Sequence, residues 1–355
     1  MPTARILGLF QRLIDGDDAL LRLAQRRFDE AGMGAEFYPE NIDHLDWEWE
    51  LRPQRALAHV AHLPRNWDLR SEYGREGVIG FARAFAGRLR GLTVHDQRGW
   101  GRDRRAVVEA LKRLDAELDG IERAPTVFIE YAAGEPVESY ARILAEVADC
   151  AQVSACIDIG HVGIFNARRV FDATHPGEAL MSLRPDSPEL VDLVADVQDV
   201  VALGLPTVLE LIDSVTAWGK PVHFHLHDGH PLSQLSEYGV RDHLSFGQRI
   251  ALPFEHEGET SVAPLYGRDG LAQMVSAALA SPAGDMLSFE IEIHPQPGQE
   301  PLGRHEDLFP HWTDRTNAER MNAWLTRLQD GARLLWELLD GPRVAPSPSA
   351  GAQLA

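Results

Sequence analysis

The sequence has few cysteines, few lysines and no long apolar run, and each shortage excludes a class of protein. Two cysteines, Cys150 and Cys156, cannot build a disulfide-rich domain or a four-cysteine zinc site, and they favour a reducing compartment. Lys112 and Lys220 are the only lysines and the formal net charge is -20, which disfavours extended binding to nucleic acid. No apolar stretch approaches the roughly 20 residues that span a bilayer, and the amino terminus has no basic leader. We therefore expect a cytoplasmic protein that binds neither nucleic acid nor a membrane.

The chain does contain enough apolar sequence for one large core. Hydrophobic residues make up 44% of the 355 residues, and barrels of this length commonly form a single domain. We predict one domain over residues 1–340. Residues 341–355 are rich in proline, serine and alanine without periodicity, which predicts a disordered tail.

Short β-type runs alternate with amphipathic stretches along most of the chain. Apolar spacing of three and four residues predicts helices over 104–118, 136–150, 188–203, 271–280 and 318–339. The clearest predicted strands end near Glu36, His62, His95, Glu130, Asp158, His225 and Glu290. This alternation predicts an α/β fold, a (β/α)8 TIM barrel. Residues 4–10 are the candidate for its eighth strand, although they also fit a helical stripe.

Two segments, 165–187 and 229–270, are longer than the ordinary connections of such a barrel. Loops of this length in a compact domain usually shape or cover an active site. We therefore expect both as long loops on the carboxyl-terminal face of the barrel.

Four predicted strands end in side chains that can bind a metal ion: Glu130, Asp158, His225 and Glu290. A carboxylate at the tip of a buried strand is costly unless it is paired or coordinates a cation. The carboxyl ends of all strands of a barrel meet at one face, so the four residues can surround one ion. Their oxygens and nitrogens suit Mn²⁺, Mg²⁺, Co²⁺ or Zn²⁺. The pattern predicts a catalytic site for one divalent metal, with salt bridges at the strand ends as the alternative.

This order of side chains resembles the xylose-isomerase-like barrels, which include sugar isomerases, ketose epimerases, inosose dehydratases and the endonuclease IV nucleases. The resemblance covers roughly residues 34–295 and rests on Glu130, Asp158-x-x-His161, His225-x-x-Asp and Glu290. It implies that Glu130, Asp158, His225 and Glu290 hold the metal and that His161 faces the substrate or a second ion. Glu292 alternates in phase with Glu290, so the choice between these glutamates stays open.

The resemblance extends to three further histidines, His62, His95 and His243, which it places near the substrate or a second ion. Two departures limit it. Arg241 stands where the three-metal nucleases have an aspartate, and Asp228-Gly-His-Pro replaces a segment in which the ketose epimerases have an arginine. A complete three-ion site and the epimerase sugar pocket are therefore not expected.

The strand that begins at Val222 carries three imidazoles on one face, because side chains alternate along a strand. These are His223, His225 and His227. We expect His223 deeper in the barrel, and His227 to contact groups around the metal site.

Glu130 and Glu290, on either side of an ion, would remove and return a proton on a bound hydroxy-carbonyl compound. Together with His161 they are the predicted catalytic residues of a sugar or sugar-phosphate isomerase or epimerase that works through a metal-bound enediolate. One alternative is a di-metal hydrolase or dehydratase, in which a second ion binds His62, His95, His161 and His243. Another is an accessory protein that binds metal without turnover. The resemblance also implies a homodimer.

Residues near the predicted strand ending at His95 are candidates for binding a small-molecule substrate, here a carbohydrate. Arg98 lies where a loop enters a helix, a position that suits a phosphate. Trp67 and Trp100 occupy similar positions and are placed to stack on a sugar ring. A solvated basic loop and packed aromatic side chains are the alternatives.

Overall fold

The computed structural model describes residues 5–10, 18–50, 52, 59–177, 189–229, 235–236, 239–240, 243–246, 251–256, 259–262, 265–293 and 318–340. Its centre is a closed barrel of eight parallel strands. They are β1 (Ile6–Phe10), β2 (Gly34–Phe37), β3 (His59–His62), β4 (Gly91–His95), β5 (Thr126–Glu130), β6 (Val153–Asp158), β7 (Val222–Leu226) and β8 (Leu287–Ile291). β8 pairs with β1 and closes the barrel. The predicted (β/α)8 fold is confirmed, and the first strand is indeed a strand.

Helices connect the strands and surround the barrel. They are α1 (Asp18–Ala31), α2 (Ile42–Glu50), α3 (Glu72–Ala84), α4 (Arg104–Asp119), α5 (Val137–Ala145), α6 (Ile159–Thr174), α7 (Leu190–Ala202), α8 (Gly204–Thr216), α9 (Gly267–Ala280) and α10 (Ala318–Asp340). α4 shows why they form: Val107, Leu111, Leu114 and Leu118 are buried at spacings of four, three and four residues. Among the described residues, none of the helices has the length and apolar character needed to cross a membrane.

The last helix covers one flank of the barrel. α10 packs against α1 and α9, and the indole N–H of Trp324 donates to the carbonyl oxygen of Ile293 at 2.8 Å. The contact fixes α10 beside the end of β8. The tail predicted over 341–355 lies outside the described residues.

The prediction of a long loop over 165–187 is wrong for its first part, because α6 begins directly after β6 and runs to Thr174. The Asp158 side chain caps this helix, accepting a hydrogen bond from the His161 amide at 2.8 Å. Ile164 and Phe171 are buried on the helix and belong to the main core. Residues 178–188 lie outside the described residues.

The segment 229–270 contains two short antiparallel pairs in its described parts. Leu235–Ser236 pairs with Gly239–Val240, and Ala251–His256 pairs with Glu259–Val262. A single bridge joins Asp228 to Leu244, which brings the residues around position 244 back over the end of β7. This segment therefore returns to the carboxyl-terminal face of the barrel.

A small cluster of apolar side chains lies inside the barrel, next to the polar side chains at its carboxyl end. Leu7, Val60, Phe128 and Cys156 form a buried cluster distinct from the main core between strands and helices. The ring of Phe128 stacks on His223, with ring centroids 5.3 Å apart. His223 therefore lies next to this apolar cluster, deep in the barrel as predicted.

Candidate metal centre

The carboxyl ends of the barrel strands gather buried ionisable side chains. Those at most 4% exposed are Glu36, His62, His95, Asp96, Glu130, Asp158, His161, His223, His225, His227, Asp228, His243, Glu290 and Glu292. None of the described lysines or arginines forms an ion pair with the four carboxylates Glu36, Glu130, Asp158 and Glu290. Imidazoles are therefore the neighbours that these carboxylates have within the described part of the chain.

The four residues predicted as metal ligands meet around one imidazole. Ligand atoms of Glu130, Asp158 and His225 all lie within 4.8 Å of one another. Glu290 belongs to an adjoining group, with Oε2 3.0 Å from His225 Nε2. The strands thus bring the four residues together as expected, and that they hold an ion stays a prediction.

The two edges of the His225 ring face different carboxylates. Nδ1 lies 3.1 Å from Glu292 Oε2 and 3.7 Å from Glu130 Oε2. Nε2 lies 3.0 Å from Glu290 Oε2 and 3.3 Å from Glu36 Oε1. Glu290 and Glu292, which the sequence could not separate, are therefore on opposite edges of the ring, and Glu292 shares its edge with Glu130.

Glu36 is a candidate site residue that the sequence identified only as a strand end. Its Oε2 lies 2.7 Å from His223 Nε2, and the other nitrogen of that ring is 2.8 Å from Ser288 Oγ. Burial alone would raise the pKa of Glu36, but His223 and His225 hold it well below its usual range. The ionised Glu36 thus accepts hydrogen bonds from both imidazoles of β7. The signal for it was a glutamate at a buried strand end, the same signal that identified Glu130.

A second group joins Glu130 to two predicted histidines. His62 Nε2 lies 2.9 Å and His95 Nε2 3.3 Å from Glu130 Oε2. Burial lowers the pKa of His95 to about 4, against the opposing effect of Glu130, so the ring is neutral, which is the form that binds metals. Burial works against ionised Glu130, but His95 and His225 hold its pKa well below the usual range. Glu130 therefore belongs to two candidate ligand groups.

A third group consists of His161, His227 and His243. His227 stacks on His243 with ring centroids 3.8 Å apart, and its Nε2 lies 2.9 Å from Asp158 Oδ1. His161 Nδ1 is 3.1 Å from the Tyr131 carbonyl oxygen. The prediction that four histidines share a second site needs correction, because His62 and His95 lie in one group and His161 and His243 in another. His227 completes the latter.

A divalent cation fits the donor atoms of this centre. Within the described part of the chain, Asp158 Oδ2, His161 Nε2, His225 Nδ1 and both carboxylate oxygens of Glu290 are buried and make no hydrogen bond of normal geometry, although other ionisable side chains lie near them. Each such atom costs about 1–3 kcal/mol if nothing satisfies it. Burial, followed by the charge of Glu36, raises the pKa of Glu290 well above its usual range. A bound cation would satisfy these lone pairs and favour the ionised carboxylate, and oxygen with imidazole ligands suits Mn²⁺, Mg²⁺, Co²⁺ or Zn²⁺.

The predicted substrate-binding side chains have different surroundings. Trp100 is only 1% exposed and its indole nitrogen lies 3.4 Å from Asp68 Oδ1, so the expectation that it stacks on a sugar is wrong. Trp67 is half-buried and packs edge-on against Phe81. Arg98 is exposed and lines a cavity next to His95.

That cavity opens beside the Glu130 group. Its volume is about 320 Å³, and its lining residues are Asn66, Asp68, Arg70, His95, Asp96, Gln97, Arg98, Ala132 and Ala133. Burial raises the pKa of Asp96 to about 7, although the backbone N–H groups of Ala132 and Ala133 oppose this shift. His95 lines the cavity and contacts Glu130, so the cavity adjoins the candidate metal centre.

Comparison with known proteins leaves the activity open. No protein-family profile and no curated protein matches the chain. Weak structural likenesses include the endo-β-1,4-mannanase from Thermotoga petrophila, with 8% identity and a TM-score of 0.46 over 94% of this chain and 77% of that chain. A GH10 endoxylanase from a sugarcane soil metagenome has 11% identity and a TM-score of 0.40 over 83% and 86%. Rhizobium etli pyruvate carboxylase has 13% identity and a TM-score of 0.36 over 98% and 30%. Membership of the xylose-isomerase-like barrels stays a prediction.

Proposed function

We propose that the protein is a divalent-metal-dependent isomerase or epimerase of a sugar or sugar phosphate. The observation that carries this proposal is the convergence of Glu130, Asp158 and His225 within 4.8 Å, with Glu290 across the ring of His225. Such a reaction needs ligands for a cation and side chains that move a proton between adjacent carbons. Both sets of groups are present at this end of the barrel.

Glu292 supports the cation site from the same side as Glu130. Its Oε2 lies 3.1 Å from His225 Nδ1, whereas Glu290 and Glu36 face the other nitrogen. We infer that Glu130, Asp158, His225 and Glu292 are the ligands. A cation held there would polarise a substrate carbonyl and make the neighbouring C–H group more acidic.

Glu130 and Glu290 are the proposed proton-transfer residues. Glu130 Oε2 contacts His62 and His95, whereas its Oε1 has His161 Nδ1 at 3.9 Å and is the freer oxygen. The lowered pKa of Glu130 favours a carboxylate that can accept a proton, and the raised pKa of Glu290 favours a carboxyl group that can donate one. Two carboxyl groups with opposite proton preferences form an acid and base pair. His161 Nε2 is buried and has no hydrogen-bond partner among the described residues, so we propose that it contacts a substrate oxygen.

Elemental analysis of the purified full-length chain, loaded with Mn²⁺ or Zn²⁺ and desalted, tests the site. We expect Glu130→Gln and His225→Gln to lose the bound metal. The control is His175→Gln, because His175 pairs with Asp196 at the surface, away from the barrel end. Folded Glu130→Gln and His225→Gln proteins with the wild-type metal content would contradict the proposed site.

Proton exchange tests the reaction class. The metal-loaded enzyme is incubated in D2O with a panel of ketoses and ketose phosphates, and deuterium incorporation is followed by mass spectrometry. We expect label next to the carbonyl of at least one sugar with the wild type, and none with Glu290→Gln. A panel without label, from protein that holds its metal, would contradict isomerase or epimerase chemistry.

A di-metal hydrolase or dehydratase is the second candidate, and the sharing of Glu130 favours it. The same carboxylate contacts His62 and His95 on one side and lies 3.7 Å from His225 on the other. This is the position of a carboxylate between two ions in two-metal sites. Metal stoichiometry separates the candidates: one ion per chain supports the isomerase, and two ions support the hydrolase or dehydratase.

A further inference from the structure

We propose that the cavity beside His95 binds the hydroxyl-bearing chain of the substrate and that Asp96 recognises it, accepting hydrogen bonds from two neighbouring hydroxyl groups. The inference rests on the proposed function, because it names the substrate class of the same site. The substrate portion in this cavity is an uncharged polyhydroxylated chain.

Position and size favour the cavity as the substrate site. Its volume of about 320 Å³ lies at the lower end of the range of small-molecule sites, roughly 300–1,000 Å³. His95 is common to the cavity lining and to the group with His62 and Glu130. A molecule in the cavity therefore contacts His95, which lies 3.3 Å from Glu130, one of the side chains that we propose for metal binding and proton transfer.

The two carboxylate oxygens of Asp96 have different surroundings in the described part of the chain. Its Oδ1 accepts hydrogen bonds from the backbone N–H groups of Ala132 at 2.8 Å and Ala133 at 2.6 Å. None of the described residues hydrogen-bonds to Oδ2, although the side chain is only 4% exposed and lines the cavity. The backbone of the β5 end thus holds the carboxylate in a fixed orientation. A carboxylate oxygen with its lone pairs free is an acceptor for hydroxyl groups.

A second buried aspartate shows what a purely structural carboxylate looks like in this fold. Asp228 Oδ1 accepts from the N–H groups of Gly229 and Tyr266, and Oδ2 accepts from Gly267 at 2.9 Å. Both of its oxygens serve to hold the backbone after β7. Asp96 uses only one oxygen in this way.

The charges around the cavity favour hydroxyl groups over a phosphate. Arg70 is paired with Asp68 and Asp103 at 2.6 and 2.7 Å, so it is not free to bind an anion. In its ionised form, the Asp96 carboxylate would repel a phosphate inside the cavity. Arg98 is exposed, so a phosphate carried by the substrate would bind there, at the solvent side of the cavity.

Calorimetry with two matched probes tests the assignment on the full-length, Mg²⁺-saturated protein. Xylitol carries vicinal hydroxyl groups along its chain, and 1,5-pentanediol has the same length without them. We expect the wild type to bind xylitol at least about tenfold more tightly than 1,5-pentanediol. Asp96→Asn keeps an oxygen for Ala132 and Ala133 but replaces the free acceptor with an N–H donor, and we expect it to lose this preference.

Asp46→Asn is the matched control, because Asp46 pairs with Arg88 at the surface and is not among the residues that line the cavity. We expect it to keep the preference for xylitol. Wild-type protein that does not bind xylitol, an Asp96→Asn protein that binds it as the wild type does, or an equal loss in Asp46→Asn would each overturn the inference. Metal content is measured on the same samples. Its loss in the wild type would contradict the proposed function, whereas failure with the metal retained contradicts only the role of Asp96.

A third probe, D-glucitol 6-phosphate, tests whether the substrate carries a phosphate group that binds Arg98. If Arg98→Gln binds this probe more weakly than the wild type does and binds xylitol equally well, the substrate is a sugar phosphate whose hydroxyl-bearing chain lies at Asp96. Equal binding of the phosphate probe in Arg98→Gln and wild type supports an unphosphorylated sugar. Weakening of the phosphate probe in Arg98→Gln but not in Asp96→Asn would overturn the placement of the chain at Asp96.

Discussion

Glu36 Oε1 lies 3.3 Å from Nε2 of His225, on the ring edge opposite to Glu130. A hydrogen bond from Nε2–H to Glu36 leaves the lone pair of His225 on Nδ1, which faces Glu130 and Glu292. Histidines that bind metals usually donate their other N–H to a carboxylate or carbonyl, which fixes the ring and its tautomer. Glu36 is therefore placed to orient His225 as a ligand of the proposed metal ion.

Glu36→Gln should weaken metal binding by about 10–100-fold. In the wild type the two carboxylate oxygens of Glu36 accept hydrogen bonds from two imidazoles, whereas the glutamine amide has only one acceptor oxygen. Competition with a chelator of known affinity measures the effect. Glu40→Gln, at an exposed position shortly after β2, is the control and should bind metal as the wild type does. Unchanged affinity in folded Glu36→Gln would show that the carboxylate does not orient His225.

The two glutamates at the end of β8 should differ in what they contribute. Glu292→Gln should reduce metal content, because its carboxylate shares the Nδ1 edge of His225 with Glu130. Glu290→Gln should retain more metal and lose deuterium exchange, because Glu290 lies on the Nε2 edge. Elemental analysis and the D2O assay on the two variants measure both effects. If only Glu290→Gln lost metal, Glu290 rather than Glu292 would be the ligand.

Gly160→Ala should destabilise the protein and disturb the group formed by His161, His227 and His243. A Cβ atom at position 160 would lie 1.9 Å from Cε1 of His227, so the ring must move. Overpacking of this kind costs about 1–3 kcal/mol, which urea unfolding measures. The control is Gly120→Ala, where the backbone is right-handed and a Cβ has only an ordinary contact at 3.5 Å, and we expect little change there. Equal stability of both variants would contradict the close packing at Gly160.

Cys150 should react slowly with thiol reagents near neutral pH. Burial, followed by Asp115 and Asp149, raises the pKa of its thiol to about 11. The thiolate is the reactive form, so labelling should speed up about tenfold for each unit of pH until about pH 11. Stopped-time labelling with iodoacetamide between pH 7 and 9, with urea-unfolded protein as the reference, measures this. Folded protein that labels at pH 7 as fast as the unfolded chain would show that the thiol is not protected.

The sequence by itself determined the barrel and the kind of chemistry at its end. Strand and helix periodicities are local, so they predicted the alternation of strands and helices, seven strand ends to within one residue, and five of the ten described helices. A carboxylate or imidazole at the tip of a buried strand is costly alone, and that local conflict identified Glu130, Asp158, His225 and Glu290. The alternation of β7 also predicted the depth of His223.

The tertiary structure decided relationships between strands, because register and the closure of the barrel set which side chains meet and no local pattern encodes them. It separated Glu290 from Glu292 on opposite edges of one ring, and it divided the predicted second-site histidines between two groups. It also placed Glu36 in contact with His225. Trp100 looked like a loop aromatic in the sequence, and only packing showed it to be part of the core.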